Sequence, residues 1–328
     1  MKTIAFFNHM GGVGKTILIY HIAWMMAEQG KNVLAVDLDP QSNLSSMFLP
    51  DETLEEIWPD ERPHKSILAC IEPILEGTGD FEPAHVEKIT GNLHLIAGDL
   101  GMSQFEDKLS ESWSKCLGGD KAAFQAMTTF YRVMRRAAEE NNSEVLLIDI
   151  GPNLGTINRA ALIAVEYIVM PLAPGLFSLQ VLKNLGSTIT RWREGWKQRL
   201  AQKPNDLNIP MPTGKMKPAG YIIMQQIKRG LRPVRAYQEW IEKIPQTYRK
   251  YVLNINEDSG ISSRENLNEI GLIRNYQSLM PLAQEARKPI FLLKPAEGAI
   301  GAYAQSVSRC YTEFKKIAES LLNHAVDL

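Results

Sequence analysis

The fold of this chain is indicated most clearly by the stretch Phe7-Asn8-His9-Met10-Gly11-Gly12-Val13-Gly14-Lys15-Thr16. An apolar segment at residues 3–7 precedes it, and an apolar helical pattern follows at residues 16–29. Glycines between a strand and a helix let successive backbone N–H groups point inward around phosphate oxygens, and the helix adds its positive N-terminal end. The stretch therefore predicts a phosphate-binding loop.

Each residue type in this loop has a mechanical role in that interpretation. We expect Lys15 to reach the β- and γ-phosphates of ATP and the Thr16 hydroxyl to ligate Mg²⁺. The strict pattern G-x-x-x-x-G-K-[ST] is not met, because His9 stands at the first glycine position. The alternative is a glycine-rich turn with an incidental lysine. The residues predicted to bind the nucleotide here are Gly11, Gly12, Val13, Gly14, Lys15, Thr16 and Ile17.

Apolar, β-branched runs recur between helical patterns along the chain. They are continuously apolar rather than alternating, which indicates strands that are buried on both faces of a parallel sheet. Right-handed crossovers would place helices on both of those faces. The predicted fold class is therefore α/β, a doubly wound, mostly parallel sheet flanked by helices. The predicted strands lie at residues 3–7, 33–37, 93–97, 145–149, 167–171 and 220–224.

Length and composition favour a single soluble domain over residues 1–328. The chain has 328 residues and is 45% hydrophobic, which is enough for one sizeable core. Its most apolar stretch, at residues 160–177, is interrupted by Glu166, Pro171 and Pro174 and is too broken to span a bilayer. The N-terminus lacks the pattern of a signal peptide. The cysteines, Cys70, Cys116 and Cys310, are far apart, so we expect a cytoplasmic protein without a disulfide or zinc framework.

Three motifs in order along the chain resemble those of the ParA/MinD group of deviant Walker A P-loop ATPases. The loop resembles that group's pattern K-G-G-x-x-K-[ST] at Gly11, Gly12, Lys15 and Thr16. The likeness covers most of the chain but is poor over residues 50–93, and the usual Asp-x-Pro-Pro has become Asp-Ile-Gly-Pro. The other motifs that carry it are Val36-Asp37-Leu38-Asp39-Pro40-Gln41-Ser42-Asn43, Leu146-Leu147-Ile148-Asp149-Ile150-Gly151-Pro152, Thr156-Ile157-Asn158-Arg159-Ala160-Ala161-Leu162 and Arg287-Lys288-Pro289-Ile290.

The resemblance implies roles for particular residues in ATP hydrolysis. Asp39 would orient or activate the attacking water, with Lys15 as the other catalytic residue. Asp149 would hold Mg²⁺ through its water shell, and Thr16 and Asp39 would complete the metal site. Asp37 either supports both groups or only fixes the loop after its strand. The resemblance also implies a contact between the adenine ring and Gln225 or Gln226, and a homodimer that forms on ATP binding.

Met10 stands where the group carries its signature lysine. In relatives, that lysine crosses the ATP-sandwiched dimer and contacts the partner's phosphates, much as an arginine finger does. Methionine has a similar unbranched length but neither a charge nor a donor. Loss of a cation that acts across the dimer slows phosphoryl transfer by on the order of 10³-fold. We therefore expect ATP binding with slow or absent hydrolysis.

Charge is unevenly distributed, although the net charge is only −1. Between residues 191 and 250 there are 14 Lys and Arg residues against 4 Asp and Glu residues, with Trp192, Trp196, Tyr237 and Trp240 interleaved. This stretch, Arg191 to Lys250, predicts either nonspecific contacts with DNA phosphates or an ordinary solvated helix face. The weakly acidic C-terminal tail disfavours membrane docking.

Two functions therefore stay open at the level of sequence. One is a nucleotide-dependent dimeric switch in DNA or plasmid partition or in intracellular positioning. The other is a nucleotide-gated protein-interaction module with little hydrolysis and no DNA role. In both, the partner protein is unknown from the sequence.

Overall fold

A computed structural model describes residues 1–59, 65–225, 234–255 and 268–327. Its centre is an eight-stranded sheet with the order β3-β4-β2-β5-β1-β6-β7-β8. All neighbouring strands are parallel except the pair β3 and β4. The strands are β1 (Lys2–Phe6), β2 (Val33–Asp37), β3 (Glu87–Lys88), β4 (Leu93–Ile96), β5 (Val145–Asp149), β6 (Tyr167–Leu172), β7 (Lys217–Met224) and β8 (Glu269–Ile273).

Helices cover both faces of this sheet. Successive strand residues face opposite sides, so Ile4 and Phe6 belong to one apolar core while Ala5 and Phe7 belong to the other. Helices α1, α2, α3, α11 and α12 contribute to the first core, and α4 to α10 contribute to the second. The helices are α1 (Lys15–Glu28), α2 (Asn43–Phe48), α3 (Asp51–Ile57), α4 (Ile67–Glu76), α5 (Phe105–Lys115), α6 (Lys121–Met127), α7 (Thr129–Glu140), α8 (Thr156–Ile163), α9 (Leu176–Leu200), α10 (Val234–Tyr251), α11 (Met280–Glu285) and α12 (Ala302–Asp327).

The predicted fold class is confirmed, since the sheet is doubly wound and mostly parallel. Every predicted strand is present, and two match at both ends, β2 and β5. The sequence interpretation missed β3 and β8, which form the two edges of the sheet. On α12, Tyr303 and Tyr311 are each 40% exposed, whereas Cys310, Phe314, Ile317 and Leu321 are buried against the sheet.

The packing of α9 on α10 leaves no room for a side chain at Gly186. A Cβ built there would lie 1.8 Å from the carbonyl oxygen of Tyr251, a backbone atom that cannot turn aside. Alanine favours a helix interior over glycine by about 1 kcal/mol, but overpacking against backbone outweighs this gain. We expect Gly186→Ala to lower the free energy of unfolding by about 3 kcal/mol, measured by urea denaturation.

Gly118 provides the matched control. It precedes a turn on the surface, its φ is not positive, and a Cβ there meets no heavy atom within 4 Å. Gly118→Ala should change the free energy of unfolding by no more than about 0.5 kcal/mol. Equal effects of the two substitutions would mean that α9 and α10 do not approach each other as described.

Candidate nucleotide-binding site

The loop between β1 and α1 is anchored to the neighbouring strand by Asn8. The buried Asn8 side chain donates from Nδ2 to the Pro171 carbonyl oxygen (2.6 Å) and accepts from the Met10 N–H at Oδ1 (2.8 Å). Gly12 and Gly14 have φ values of 71° and 92°, the left-handed region that favours glycine. The loop therefore needs glycine at these two positions to reach the start of α1.

A cavity of about 580 Å³ opens directly over this loop. Lys15 reaches it from the first turn of α1, and the residue as a whole is only 7% exposed. Asp39 lies across the cavity at the carboxyl end of β2. The predicted residues that line it are Gly11, Gly12, Val13, Gly14, Lys15, Thr16, Ile17 and Asp39.

Register in the sheet brings the acidic residues to the same edge as the loop. Asp149 at the end of β5 lies opposite both Phe6 of β1 and Asp37 of β2. Parallel strands place their carboxyl ends at one edge, where ligands bind in open α/β sheets. Asp149 does not line the cavity wall: it is fully buried behind the loop.

The Asp149 carboxylate is the least satisfied polar group at the site. Both of its side-chain oxygens are buried and lack a hydrogen-bond partner. Burial raises the pKa of Asp149 to about 6, and the positive charge of Lys15 opposes this rise. The nearby Thr16 hydroxyl also lowers the pKa, although it does not meet the geometry of a hydrogen bond. A buried acceptor without a donor is costly unless a cation or water shell satisfies it. The site therefore fits a hydrated divalent cation between Thr16 and Asp149.

No group of three or more His, Cys, Asp or Glu side chains is arranged to ligate a metal among the described residues. Mg²⁺ differs from Zn²⁺ and Ca²⁺ in keeping several waters and in being held by one or two carboxylates together with substrate phosphates. Thr16 and Asp149 would supply the protein contacts of such a site.

Asp37 has a structural task that its position alone did not reveal. Its carboxylate accepts from the Ser45 N–H (2.9 Å) and the Ser45 hydroxyl (2.8 Å), and also from the Asp39 N–H (3.2 Å). Burial and the Asp149 charge raise the pKa of Asp37 to about 8, against the effect of the Ser45 bonds. Asp37 therefore fixes the segment that carries Asp39, which agrees with the structural alternative.

Met10 is half-buried and packs against both apolar cores of the sheet. Its side chain is therefore part of the packing around the loop instead of extending fully into solvent. His9 beside it has a buried Nδ1 without a hydrogen-bond partner, and burial lowers the pKa of its imidazole. A neutral His9 does not replace the missing positive charge.

Gln225 lies in a second, smaller cavity of about 120 Å³ that shares Gly12, Gly14 and Ile17 with the first. Gln226 lies outside the described residues. The far side of this cavity is formed by Arg274, Asn275 and Tyr276, which follow β8. Glu313 of α12 holds this segment, since its carboxylate accepts from the Tyr276 hydroxyl (2.9 Å) and the Arg274 N–H (3.1 Å).

Several cavity residues had no role assigned from the sequence. Arg287 and Lys288 line the main cavity, where Arg287 has a φ of 48° and donates to the Leu49 carbonyl oxygen (2.7 Å). The motif that contains them was recognised, but motif likeness alone did not show that the chain after α11 folds back over the loop. The other residues of this kind are Tyr20, His21, Gln41, Asn43, Ser46, Met47, Pro152, Met280, Ala283 and Gln284.

The basic stretch is only partly a surface. Arg193 donates to the carbonyl oxygens of Lys215 and Met216, and Lys203 donates to those of Pro204 and Leu207. The interleaved Trp192 and Trp196 belong to the core, at 4% and 0% exposure. Exposed cations in the described part of the stretch are Arg191, Lys197, Lys215, Lys243 and Lys250. Lys228, Arg229 and Arg232 lie outside the described residues.

Within the described ranges, no helix has the length and apolar character needed to cross a bilayer.

His21 ties α1 to the chain that closes over the site. The Ile290 N–H donates to Nε2 (3.1 Å), so Nδ1 carries the proton and donates to the Ile17 carbonyl oxygen (2.7 Å). The ring also stacks on Phe314 of α12 at 4.8 Å. This arrangement requires a neutral imidazole, and burial lowers the pKa of His21 to about 4.

We expect this residue to make stability fall in mild acid. Above pH 6.5 His21 is neutral in both the folded and the unfolded chain and contributes nothing to pH dependence. Below it the unfolded chain binds a proton that the folded protein does not accept until about pH 4. The free energy of unfolding should therefore fall across this window by up to about 3 kcal/mol, as followed by urea denaturation at several pH values.

A His21→Phe variant isolates this contribution. It loses the hydrogen bonds and should be less stable at neutral pH, but its profile between pH 6.5 and pH 4 should be flatter than that of the parent. Parallel profiles would show that another group titrates there.

The site combines a glycine-rich loop between a strand and a helix with a buried lysine, a threonine and strand-end carboxylates. This combination is typical of P-loop nucleotide-binding α/β proteins. A family model described as an AAA domain matches residues 1–202. The chain belongs to this family. Within it, the chain is a member of the ParA/MinD type of P-loop ATPases.

Two curated relatives illustrate the sequence similarity. Protein IncC from Escherichia coli is 30% identical over 194 residues, which are 59% of this chain and 47% of the relative. The virulence plasmid ParA family protein pGP5-D from Chlamydia psittaci is 30% identical over 197 residues, 58% of this chain and 64% of the relative. The match spans only about half the length of several such relatives, from 43% to 47%.

Solved structures share the whole fold at low sequence identity. Protein DIP2308 from Corynebacterium diphtheriae has a TM-score of 0.72 at 22% identity, over 100% of this chain and 99% of that one. McdA from Cyanothece in complex with ATP has a TM-score of 0.62 at 15% identity, over 98% and 96%. Cobyrinic acid a,c-diamide synthase from Mycobacterium smegmatis with bound ATP analog and magnesium has 0.57 at 17%, over 99% and 95%.

Proposed function

We propose that this protein binds ATP and Mg²⁺ and acts as a nucleotide-dependent dimeric switch of the ParA type, with weak hydrolysis. The carrying observation is the buried Asp149 carboxylate without a partner, directly behind Thr16 and the buried Lys15. The Asp149 carboxylate would accept from the water shell of Mg²⁺, and the Lys15 ammonium group would bind the phosphates, as an Mg²⁺·ATP complex requires.

Specific residues would divide the work on the bound nucleotide. Backbone N–H groups of the loop and Lys15 would hold the phosphates, and Thr16 and Asp149 would hold Mg²⁺ directly or through water. Bound Mg²⁺ neutralises charge that develops on the transferred phosphoryl group. Asp39, only 4% exposed and facing the cavity, would orient the attacking water. Gln225 would contact the base in the smaller cavity.

A role in plasmid partition or intracellular positioning follows from the ParA-type assignment. One curated relative is a virulence plasmid ParA family protein, which favours the plasmid role. Nonspecific DNA contacts would use the exposed cations of the basic stretch, such as Arg191, Lys197 and Lys250. ATP would bring two protomers together across the loop edge of the sheet.

A nucleotide-gated protein-interaction module without a DNA role is the second candidate. It is favoured by the number of basic residues that serve structure instead of facing solvent. Arg193, Arg199 and Lys203 all donate to backbone carbonyl oxygens. Trp192 and Trp196 are unavailable to stack on bases because both are buried.

The discriminating experiment measures ATP binding, ATP turnover and solution mass, each with and without random-sequence duplex DNA. The switch model predicts Mg²⁺-dependent ATP binding, a doubled mass with ATP, and salt-sensitive DNA binding only in the ATP form. ATP-dependent dimers that ignore DNA would favour the interaction module. Absence of Mg²⁺-dependent ATP binding would refute both.

A further inference from the structure

A third cavity, of about 430 Å³, lies on the other side of the loop that follows β5. Helices α5, α8 and α9 form it, and its wall includes Trp113, Arg159, Arg191 and Arg199. Pro152 of the same loop lines the nucleotide cavity, whereas Leu154 lines this one. The two cavities are therefore separate but adjoin one segment.

Positive charge converges on a single indole ring in this cavity. The guanidinium carbon of Arg159 lies 4.2 Å from the centroid of the Trp113 ring, and that of Arg199 lies 3.6 Å from it. Arg191 is an exposed residue at the rim. The positive charges of Arg159 and Arg199, which both lie against the Trp113 ring, repel each other. The attraction of each guanidinium group to the ring offsets only part of this repulsion.

The acidic residues nearby offset these positive charges only in part, since burial and the charge of Arg199 lower the pKa of Arg159 more than the charge of Glu106 raises it. In the described ranges, none of Arg159, Arg191 and Arg199 forms an ion pair with a carboxylate. Glu194 lines the cavity but is exposed, and Glu106 is occupied by the Thr156 N–H (2.8 Å) and the Thr156 hydroxyl.

The two inner arginines, Arg159 and Arg199, differ in the hydrogen bonds that they form. Arg199 is 6% exposed and donates from Nε to the Trp113 carbonyl oxygen (2.5 Å) and from NH1 to that of Gly195 (2.8 Å). The Arg159 Nε–H is buried and has no acceptor. Burial, followed by the charges of Arg199 and Arg191, lowers the pKa of Arg159 to about 10. Arg199 is thus bound to the cavity wall, whereas Arg159 has an Nε–H donor without an acceptor.

We propose that this cavity is a phosphoryl-binding site, distinct from the ATP site, in which Arg159 and Arg191 contact the oxyanion and Trp113 and Leu154 form the apolar wall. Guanidinium groups bind phosphate through paired N–H donors, and an oxyanion would satisfy the free Nε–H of Arg159. A concave recess of this size suits a compact phosphate or phosphate ester. The phosphodiester backbone of DNA carries the same chemistry and is the other possible source.

The test uses the full chain with Mg²⁺ and a non-hydrolysable ATP analogue at saturation, so that the P-loop is occupied. Inorganic phosphate is titrated at constant ionic strength while tryptophan fluorescence is followed, because Trp113 lines the cavity. We expect a saturable change in the parent and an apparent affinity about tenfold or more weaker in Arg159→Ala. Arg191→Ala, at an exposed position, repeats the test if Arg159→Ala does not fold.

Lys115→Ala is the matched control, since Lys115 is an exposed cation on α5, the helix that carries Trp113, but lies outside the cavity and pairs with Glu111. It should leave phosphate binding unchanged. Equal weakening by Lys115→Ala and Arg159→Ala would indicate diffuse surface attraction and overturn the proposal, as would the absence of saturation in the parent.

A parallel titration with labelled random-sequence duplex DNA identifies the source of the phosphoryl group. If Arg159→Ala weakens both phosphate and duplex binding, the site takes the DNA backbone. If it weakens phosphate binding alone, the ligand is a small phosphate. The proposal fails if neither depends on Arg159. Arg159 lies outside the ATP cavity, so dependence on Arg159 identifies this site even if the analogue leaves the P-loop empty, and a nucleotide titration reports ATP binding separately.

Discussion

Lys15→Ala is expected to weaken ATP binding by about a hundredfold or more. Lys15 lies in the first turn of α1, lines the nucleotide cavity and is almost entirely buried. Two charge-assisted hydrogen bonds to phosphate oxygens contribute about 3 kcal/mol or more together, which corresponds to that factor in affinity. Titration with a fluorescent ATP analogue in the presence of Mg²⁺ measures the effect.

A control must separate the loss of a phosphate contact from a loss of structure. Lys15 is also the main positive charge beside Asp149, so its removal leaves that buried carboxylate less stabilised. Thermal unfolding without nucleotide reports this second effect. Lys31→Ala, at an exposed lysine paired with Glu144, should leave both ATP binding and stability nearly unchanged. Undiminished ATP affinity in folded Lys15→Ala would place the phosphates elsewhere.

The interior of the fold could be predicted from the sequence, but its edges could not. Interior strands such as β2 and β5 are continuous apolar runs, because both of their faces are buried. The edge strand β8 has a glycine at its centre, which reads as a loop signal. That glycine, Gly271, is explained only by a distant element, since a Cβ there would lie 2.6 Å from Ile317 of α12. Local patterns carry no information about such a neighbour.

The candidate site divides in the same way. The loop residues and Asp39 could be predicted because motif spacing fixes them at one sheet edge. The sequence left two alternatives for Asp37, and only the bonds to Ser45 favour the structural one. Arg191 and Arg199 contribute equally to the charge of the basic stretch. In the structure, Arg191 is exposed, whereas Arg199 donates to two carbonyl oxygens inside the protein. Composition reports how many charges exist, whereas packing decides which ones can meet a ligand.

Met10→Lys is expected to raise ATP turnover by on the order of 10³-fold, the lower end of the range over which a trans-acting cation accelerates phosphoryl transfer. The backbone at this position is already fixed by the Asn8 side chain, which accepts from the Met10 N–H (2.8 Å). Met10 is half-buried, so a lysine could keep its aliphatic stem in the same packing and extend its ammonium group outward. The substitution should therefore add a charge without rebuilding the loop.

The measurement is steady-state ATP turnover together with solution mass, for the parent, Met10→Lys and Met10→Gln. Met10→Gln adds polarity and donors of similar reach but no charge, so it should remain as slow as the parent if the positive charge is what is missing. The rise in Met10→Lys should depend on protein concentration, because a cation that acts across the dimer works only when two protomers meet. Equal turnover in all three proteins would mean that another residue neutralises the phosphate charge, and a concentration-independent rise would mean that the lysine acts within its own protomer.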